Sequence, residues 1–340
     1  MRLTHVPRSR VQSRCAVFSQ SSSLTSCRRR PAASASPRTG VVPLALLCGV
    51  MAGMPAIALA GAWTQPDGDT LMIVKALHSD GRGWFDDGHH RGTFGNNGRS
   101  RQDQLNVYLE HGLSDRLSLI GNFYLTQVGF NNDLVQGDTT QRVRRTTTGL
   151  ADQEIGLRYA LGNGQDAVWH DAVQALVSVP AYGRDKTYHP GNPSPDPALG
   201  LGDYGLELRY SRGRGYSLGD RNGYVDLGAA VRLRGSAASD EARVDVSTGL
   251  GITSRWLLLG ELNVIQGLGN GRNNANVISD VASGASYVAT GTNYDLTKLQ
   301  LSALYTAAGG SQWQLGYQQP VMGRNTGAAG GPFVAAWWRF

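Results

Sequence analysis

From Asp152 to Leu161 the side chains alternate in character, with Asp152, Glu154, Arg158 and Ala160 on one face. Gln153, Ile155, Leu157, Tyr159 and Leu161 occupy the other. A period of two over about ten residues is the mark of a β-strand wet on one side and apolar on the other. The surrounding text, Gly149-Leu-Ala-Asp to Leu-Gly162, returns as Gly200-Leu-Gly-Asp to Arg-Gly213 with half its positions identical. There Asp203, Glu207 and Arg209 oppose Tyr204, Leu206, Leu208 and Tyr210. Such strands suit a wall between water and an oily phase, although the apolar face of a soluble sandwich would look the same.

The same period runs through most of the chain after residue 60. Thr70–His78 is extended but too uniformly apolar for its facing to be read. Gln104–Leu113 sets Leu105, Val107 and Leu109 against Gln104, Asn106, Tyr108 and Glu110. A tight Ser114-Asp115-Arg116 turn leads to Leu117–Gln127, with Leu117, Leu119, Phe123 and Leu125 on one face. Segment 129–148 reads as a long connection. Gly162-Asn163-Gly164 turns into a strand near Val168–Val179, where Asp171 shares the parity of Val173, Ala175 and Val177; a bulge or a later start explains it. Pro190, Pro193, Pro195 and Pro197 mark another long loop. Strands follow near Tyr224–Arg234, Arg243–Ile252, Trp256–Ile265, Leu296–Tyr305, Gln312–Gln319 and Phe333–Phe340.

Short turns fall at one end of these strands and mostly long loops at the other. The expected fold is therefore all-β: a transmembrane, antiparallel, up-and-down β-barrel of about 12 strands with short periplasmic turns and long external loops. Tyr159, Tyr210, Trp256, Tyr305, Trp313, Trp338 and Phe340 all lie where strands meet short turns, an aromatic girdle at the lipid headgroups. A soluble core has no reason to gather aromatics at one end of its strands. The closing Val334-Ala-Ala-Trp-Trp-Arg-Phe340 resembles the last strand of bacterial outer-membrane proteins, whose terminal aromatic is read by the barrel-assembly machinery.

The first sixty residues change the reading of composition. Residues 1–40 hold eight Arg and no acidic residue, Val41–Leu59 is apolar, and Ala58-Leu59-Ala60 precedes Gly61. Residues 1–60 are thus expected to be a signal peptide with a long basic extension, cleaved after Ala60, leaving 61–340 as the barrel. The formal charge of +6 then loses eight arginines and becomes −2, so the basic balance says nothing about nucleic acid, and no nucleic-acid partner is expected. Cys15, Cys27 and Cys48 leave with the leader, so no disulfide is expected in the remainder.

A narrower resemblance rests on Gly61-Ala-Trp-Thr-Gln-Pro-Asp-Gly68, Tyr108-Leu-Glu-His-Gly-Leu-Ser-Asp-Arg116, the two Gly-Leu-x-Asp strands and Val177-Ser-Val-Pro-Ala-Tyr-Gly183. These resemble proteobacterial barrels of the meta-pathway phenol-degradation family, which is regarded as transporter-like. The family pattern often has Pro-Thr-Gly where this chain has Pro180-Ala-Tyr-Gly183. The resemblance implies transport of small organic molecules, aromatic ones included.

Parity puts Glu110, Glu154, Arg158, Glu207, Arg209, Arg232, Arg243 and Glu261 on the inner face as candidate solute contacts, with Asp152, Asp203, Asp226, Asp245, Lys298 and Arg339. Mixed signs argue against strong selection for anions or cations, and the same charges could instead pair with one another and fill a narrow interior. Twelve strands give a lumen between packed eight-stranded barrels and open porins. No enzyme activity, cofactor or metal is expected: Asp86-Asp87-Gly-His89-His90 lacks a third placed ligand, and no motif joins a histidine to a serine. The run Arg142-Val-Arg144-Arg145 is either a solvated loop or a contact for lipopolysaccharide phosphates. The expected function is an outer-membrane channel for small organic solutes. A barrel that only displays its loops, and a barrel-wall lipid hydrolase, are the alternatives.

Overall fold

The computed structural model describes residues 61–162, 168–187, 196–235, 238–271, 279–280, 285–286 and 291–340. The leader expected over 1–60, with its cysteines and cleavage position, lies outside these residues, as do Asn163, Gly164, Pro190, Pro193 and Pro195. Twelve antiparallel strands close into one barrel. They are β1 Thr70–Gly81, β2 Arg99–Ser114, β3 Leu117–Gln136, β4 Asp152–Leu161, β5 His170–Pro180 and β6 Gly205–Leu218. The second half comprises β7 Arg221–Arg234, β8 Glu241–Gly251, β9 Trp256–Gly267, β10 Asp295–Thr306, β11 Gln312–Arg324 and β12 Gly331–Arg339. Each strand pairs with its sequence neighbours, and β12 pairs with β1 from Leu71 opposite Arg339 to Leu77 opposite Phe333. Phe340 and Thr70 exchange backbone hydrogen bonds of 2.7 and 3.1 Å at the seam. Closure of this kind leaves no unpaired sheet edge.

The alternation sorts the faces as the sequence predicts. Leu157, Leu208 and Leu315 are 45%, 56% and 63% exposed on the outside, whereas Glu110, Glu207 and Arg158 are 1–3% exposed inside. That inversion of the usual soluble pattern is what a strand facing hydrocarbon requires. Among the described residues no helix is long and apolar enough to cross a membrane.

Three details depart from the sequence reading. First, 129–148 is not a plain loop: β3 runs on to Gln136 and pairs with the strand Thr139–Leu150, a hairpin arm rising beyond the barrel. Its side chains are polar on both faces, so it carries no apolar alternation to detect. Second, the wall is continuous from Leu150 to β4 but gains a residue there, since Leu125 faces Leu150 while Asn122 faces Glu154. The Gln153 carboxamide fills the gap in the ladder, accepting from the Tyr124 amide (2.9 Å) and donating to the Tyr124 and Ala151 carbonyls (2.9 and 2.7 Å). Third, β5 begins at His170 with unbroken register from Asp152–Pro180 to Leu161–Asp171. A later start, not a bulge, explains Asp171, which lies on the outer face and accepts from the Tyr210 hydroxyl at 2.5 Å.

Candidate functional site in the barrel lumen

The interior divides into three zones. At the short-turn end it is filled. Leu71, Tyr224, Leu257, Leu259, Leu304, Ala335 and Trp337, from five strands, form one buried cluster, with Trp63, Ile73 and Tyr108 packed against it. Trp63 belongs to the segment leading into β1, which turns into the lumen instead of hanging free. The Trp63 ring meets Tyr224 edge-on at 6.0 Å and His170 at 5.4 Å. The Ala62 amide donates to Asp226 (2.8 Å) and the Gln65 amide to Ser118 (3.0 Å). Gly112 is required where this segment crosses β2: a Cβ there would lie 1.9 Å from the Pro66 carbonyl oxygen.

Above the filled end lies an ionic lattice. Arg158 on β4 reaches over β3 to Glu110 on β2, one nitrogen lying 3.0 Å from both carboxylate oxygens. The same guanidinium donates to the Trp63 carbonyl (3.1 Å) and to Gln174 (2.9 Å), while the Tyr108 hydroxyl donates to Glu110 (2.7 Å). A second group centres on Glu207, which pairs with Arg232 (2.8 Å), Arg209 (3.0 Å) and Arg243 (3.3 Å). Arg232 also takes Glu154 at 2.6 Å, and Arg209 takes Asp245. Glu241 holds Arg234 at 2.5 Å and also Arg243. Buried charges persist when each has a partner and its remaining donors are used, because removing one partner leaves an uncompensated ion.

The third zone, toward the long loops, is open. A cavity of about 550 Å³ is lined by Lys75, Leu77, Gln104, Tyr124 and Lys298 from the wall and by residues 196–201, Thr326, Gly327 and Ala329 from the loops. Beside it the β10–β11 register slips, Thr297 facing Met322 and Lys298 facing Pro320. Pro320 has no amide to give to the ladder, which is why a bulge falls there.

The eight inner-face candidates are therefore all accounted for by position. Glu110 and Arg158 form one pair, and Glu154, Glu207, Arg209, Arg232 and Arg243 share the second group. Glu261 accepts the Gln300 amide at 2.6 Å. Of the other expected inner residues, Asp152 receives the Tyr182 hydroxyl (2.8 Å) and Asp203 the Ala238 amide (2.9 Å), whereas Arg339 is exposed at the rim. Tyr159, Tyr210, Trp256, Trp313 and Phe340 are exposed at the short-turn end, with Tyr305 stacked on Trp256 at 4.9 Å and Trp338 half-buried beside them. In the long-loop region the His90 amide, at 2.8 Å, does most to hold the Asp86 carboxyl below the usual carboxylate range. Among the described residues no group of three or more His, Cys, Asp or Glu is arranged to hold a metal.

Sequence reasoning missed Glu241, Lys75 and the inward turn of 61–67. Lys75 could have been found as the lone charge in an apolar run, but Trp63 and Gln65 precede the first strand, where alternation says nothing.

The barrel is similar to a COG4313 outer membrane channel from Pseudomonas putida F1, with TM-score 0.56 and 16% identity over 84% of this chain and 100% of that one. Looser superpositions include the NanC porin (TM-score 0.42, 10% identity, 78% and 98% covered). The translocator domain of the autotransporter NalP from Neisseria meningitidis is another (0.40, 10%, 82% and 90%). At these identities the likeness concerns the fold alone, and the two looser superpositions carry no argument. No family profile matches the sequence, and no curated protein sequence matches it.

Proposed function

We propose that the protein is an outer-membrane channel for small organic solutes, its short turns in the periplasm and its long loops outside. The observation that carries this reading is the 550 Å³ cavity on the loop side of a closed, lipid-facing barrel, within the usual range for small-molecule sites. The fold shared with a protein described as an outer membrane channel supports it. Passage is narrow and gated in this reading, because the apolar cluster, the segment 61–67 and the ion pairs fill the periplasmic half. Lattice arginines such as Arg158 and Arg209 then act chiefly as walls, and solute meets the cavity first. The resemblance to the phenol-degradation family belongs to the same proposal and makes small aromatic compounds the first solutes to try. So do export by the leader, recognition of Phe340 by the barrel-assembly machinery, and contact of Arg142 and Arg144 with lipopolysaccharide.

The test is flux into liposomes carrying the mature chain, with benzyl alcohol, benzoate and small sugars as solutes. Entry faster than into empty liposomes, with larger sugars excluded, is the expected result. If neither wild type nor a variant lacking residues 62–67 passes any of them, the channel reading fails and a loop-displaying barrel replaces it.

A further inference from the structure

We infer that Lys75 and Lys298 form a subsite in the loop-side cavity for the carboxylate of a small, largely apolar organic acid. This rests on the channel reading and names the solute class for it.

The barrel interior holds two kinds of cation. Arg158, Arg209, Arg232, Arg234 and Arg243 each hold a carboxylate within 3.5 Å. The two lysines hold none. Lys75 donates to the Gln300 carbonyl oxygen at 3.2 Å and lies 4.5 Å from the centre of the Phe333 ring. The Lys298 ammonium has no hydrogen bond or ion pair among the described residues, although its backbone belongs to the β9–β10 ladder. Glu261 acts on both ammonium groups and Asp245 on Lys298, but neither carboxylate touches a lysine: Glu261 accepts from the Gln300 side-chain amide, and Asp245 is paired with Arg209 and accepts from Asn263. Asp196, on the loop side of the cavity, has an interaction of its own.

An ammonium in a half-buried site with no carboxylate in contact is under-compensated, and the cost is offset when an anion enters. The lattice arginines have settled this within the protein. The lysines have not, and both line the same 550 Å³ space. The rest of that space suits an apolar body: Leu77, Tyr124, Phe130, Leu201 and Leu296 line it. A flat ring bearing one carboxylate would place its charge between the lysines and its carbon skeleton against these side chains. Lysine heads on flexible stems suit a site that must both capture and release.

The experiment measures benzoate and benzyl alcohol, a neutral ring of similar size, in two ways: equilibrium binding to detergent-solubilised mature protein, and flux into liposomes. Wild type is compared with Lys75→Gln, Lys298→Gln, the double variant and the charge-keeping pair Lys75→Arg and Lys298→Arg. Heat-modifiable gel mobility confirms that each variant is folded. Benzoate affinity should fall about tenfold or more in the double variant, the loss expected from charged hydrogen bonds. Benzyl alcohol should be unaffected, and the Arg variants should retain most benzoate binding. Benzoate binding that is indifferent to both Lys→Gln changes would overturn the subsite even if both solutes cross the membrane. Lysine-dependent binding with no flux of any solute would keep the subsite and sink the channel reading instead.

Discussion

At the scale of single residues, the interior is held by matched charge, and Glu110–Arg158 is its most enclosed pair. Both side chains are almost wholly buried, and Arg158 also ties the inward segment through the Trp63 carbonyl. Arg158→Ala should therefore destabilise the barrel by about 3–5 kcal/mol, most of it from leaving Glu110 ionised and alone. The measurement is urea unfolding in lipid vesicles. Glu110→Gln combined with Arg158→Met should recover much of the loss, because no ion is left unpaired and the long methionine keeps most of the arginine stem's packing. A double variant as unstable as Arg158→Ala would show that packing, not charge, dominates there. Parity alone placed both residues inside. It could not choose the partner, since Arg158 skips the intervening strand to find Glu110 across the curvature of the wall. Lys75 escaped for a related reason: in Leu-Met-Ile-Val-Lys-Ala-Leu neither face is polar enough to orient the strand.

At the scale of elements, the two Gly-Leu-x-Asp strands were legible because each separates lipid from a charged interior. Leu157 on β4 and Leu208 on β6 sit on the outer face, each two residues inside a girdle tyrosine. An arginine at either position should cost about 1–3 kcal/mol, between the interfacial and midplane values. Insertion efficiency into preformed vesicles reads this directly. The lumen control should be Gln104→Arg, which projects into the open cavity. Gly156 cannot serve, because a Cβ there would lie 2.2 Å from the Ala175 carbonyl oxygen. Normal insertion of both Leu→Arg variants would mean that this face does not meet hydrocarbon. The hairpin arm, Thr139–Leu150 against the upper part of β3, shows where the alternation signal ends. Polar residues dominate both faces of the arm, even where Asn132 and Thr147 are buried beside Phe130, so nothing sets apolar and polar positions apart and segment 129–148 reads as a loop. The bulge at the foot of the arm was hidden as well, since Gln153 occupies an outward-parity position while its amide repairs the backbone ladder.

At the scale of the whole molecule, the alternation of short and long connections was enough to predict a closed barrel of about twelve strands, because up-and-down topology follows from turn lengths. How far the lumen is open was not legible. It depends on a segment without periodicity, Ala62–Asp67, whose contacts lie on strands far away in sequence. Asp226 and Ser118 hold its amides, Arg158 holds a carbonyl, and Tyr224 and His170 receive Trp63. Removing residues 62–67 from the barrel chain 61–340 should therefore raise single-channel conductance severalfold in planar bilayers. The barrel should remain folded, since none of its ladder bonds is lost. Gly112→Val provides an independent route to the same state. A side chain there would occupy the position of the Pro66 carbonyl, so the segment should be expelled while its sequence stays intact. Matching conductances for the two variants, both above wild type, would identify the segment as the element that closes the short-turn half. Conductance unchanged in both would shift that role to the apolar cluster and the arginine lattice.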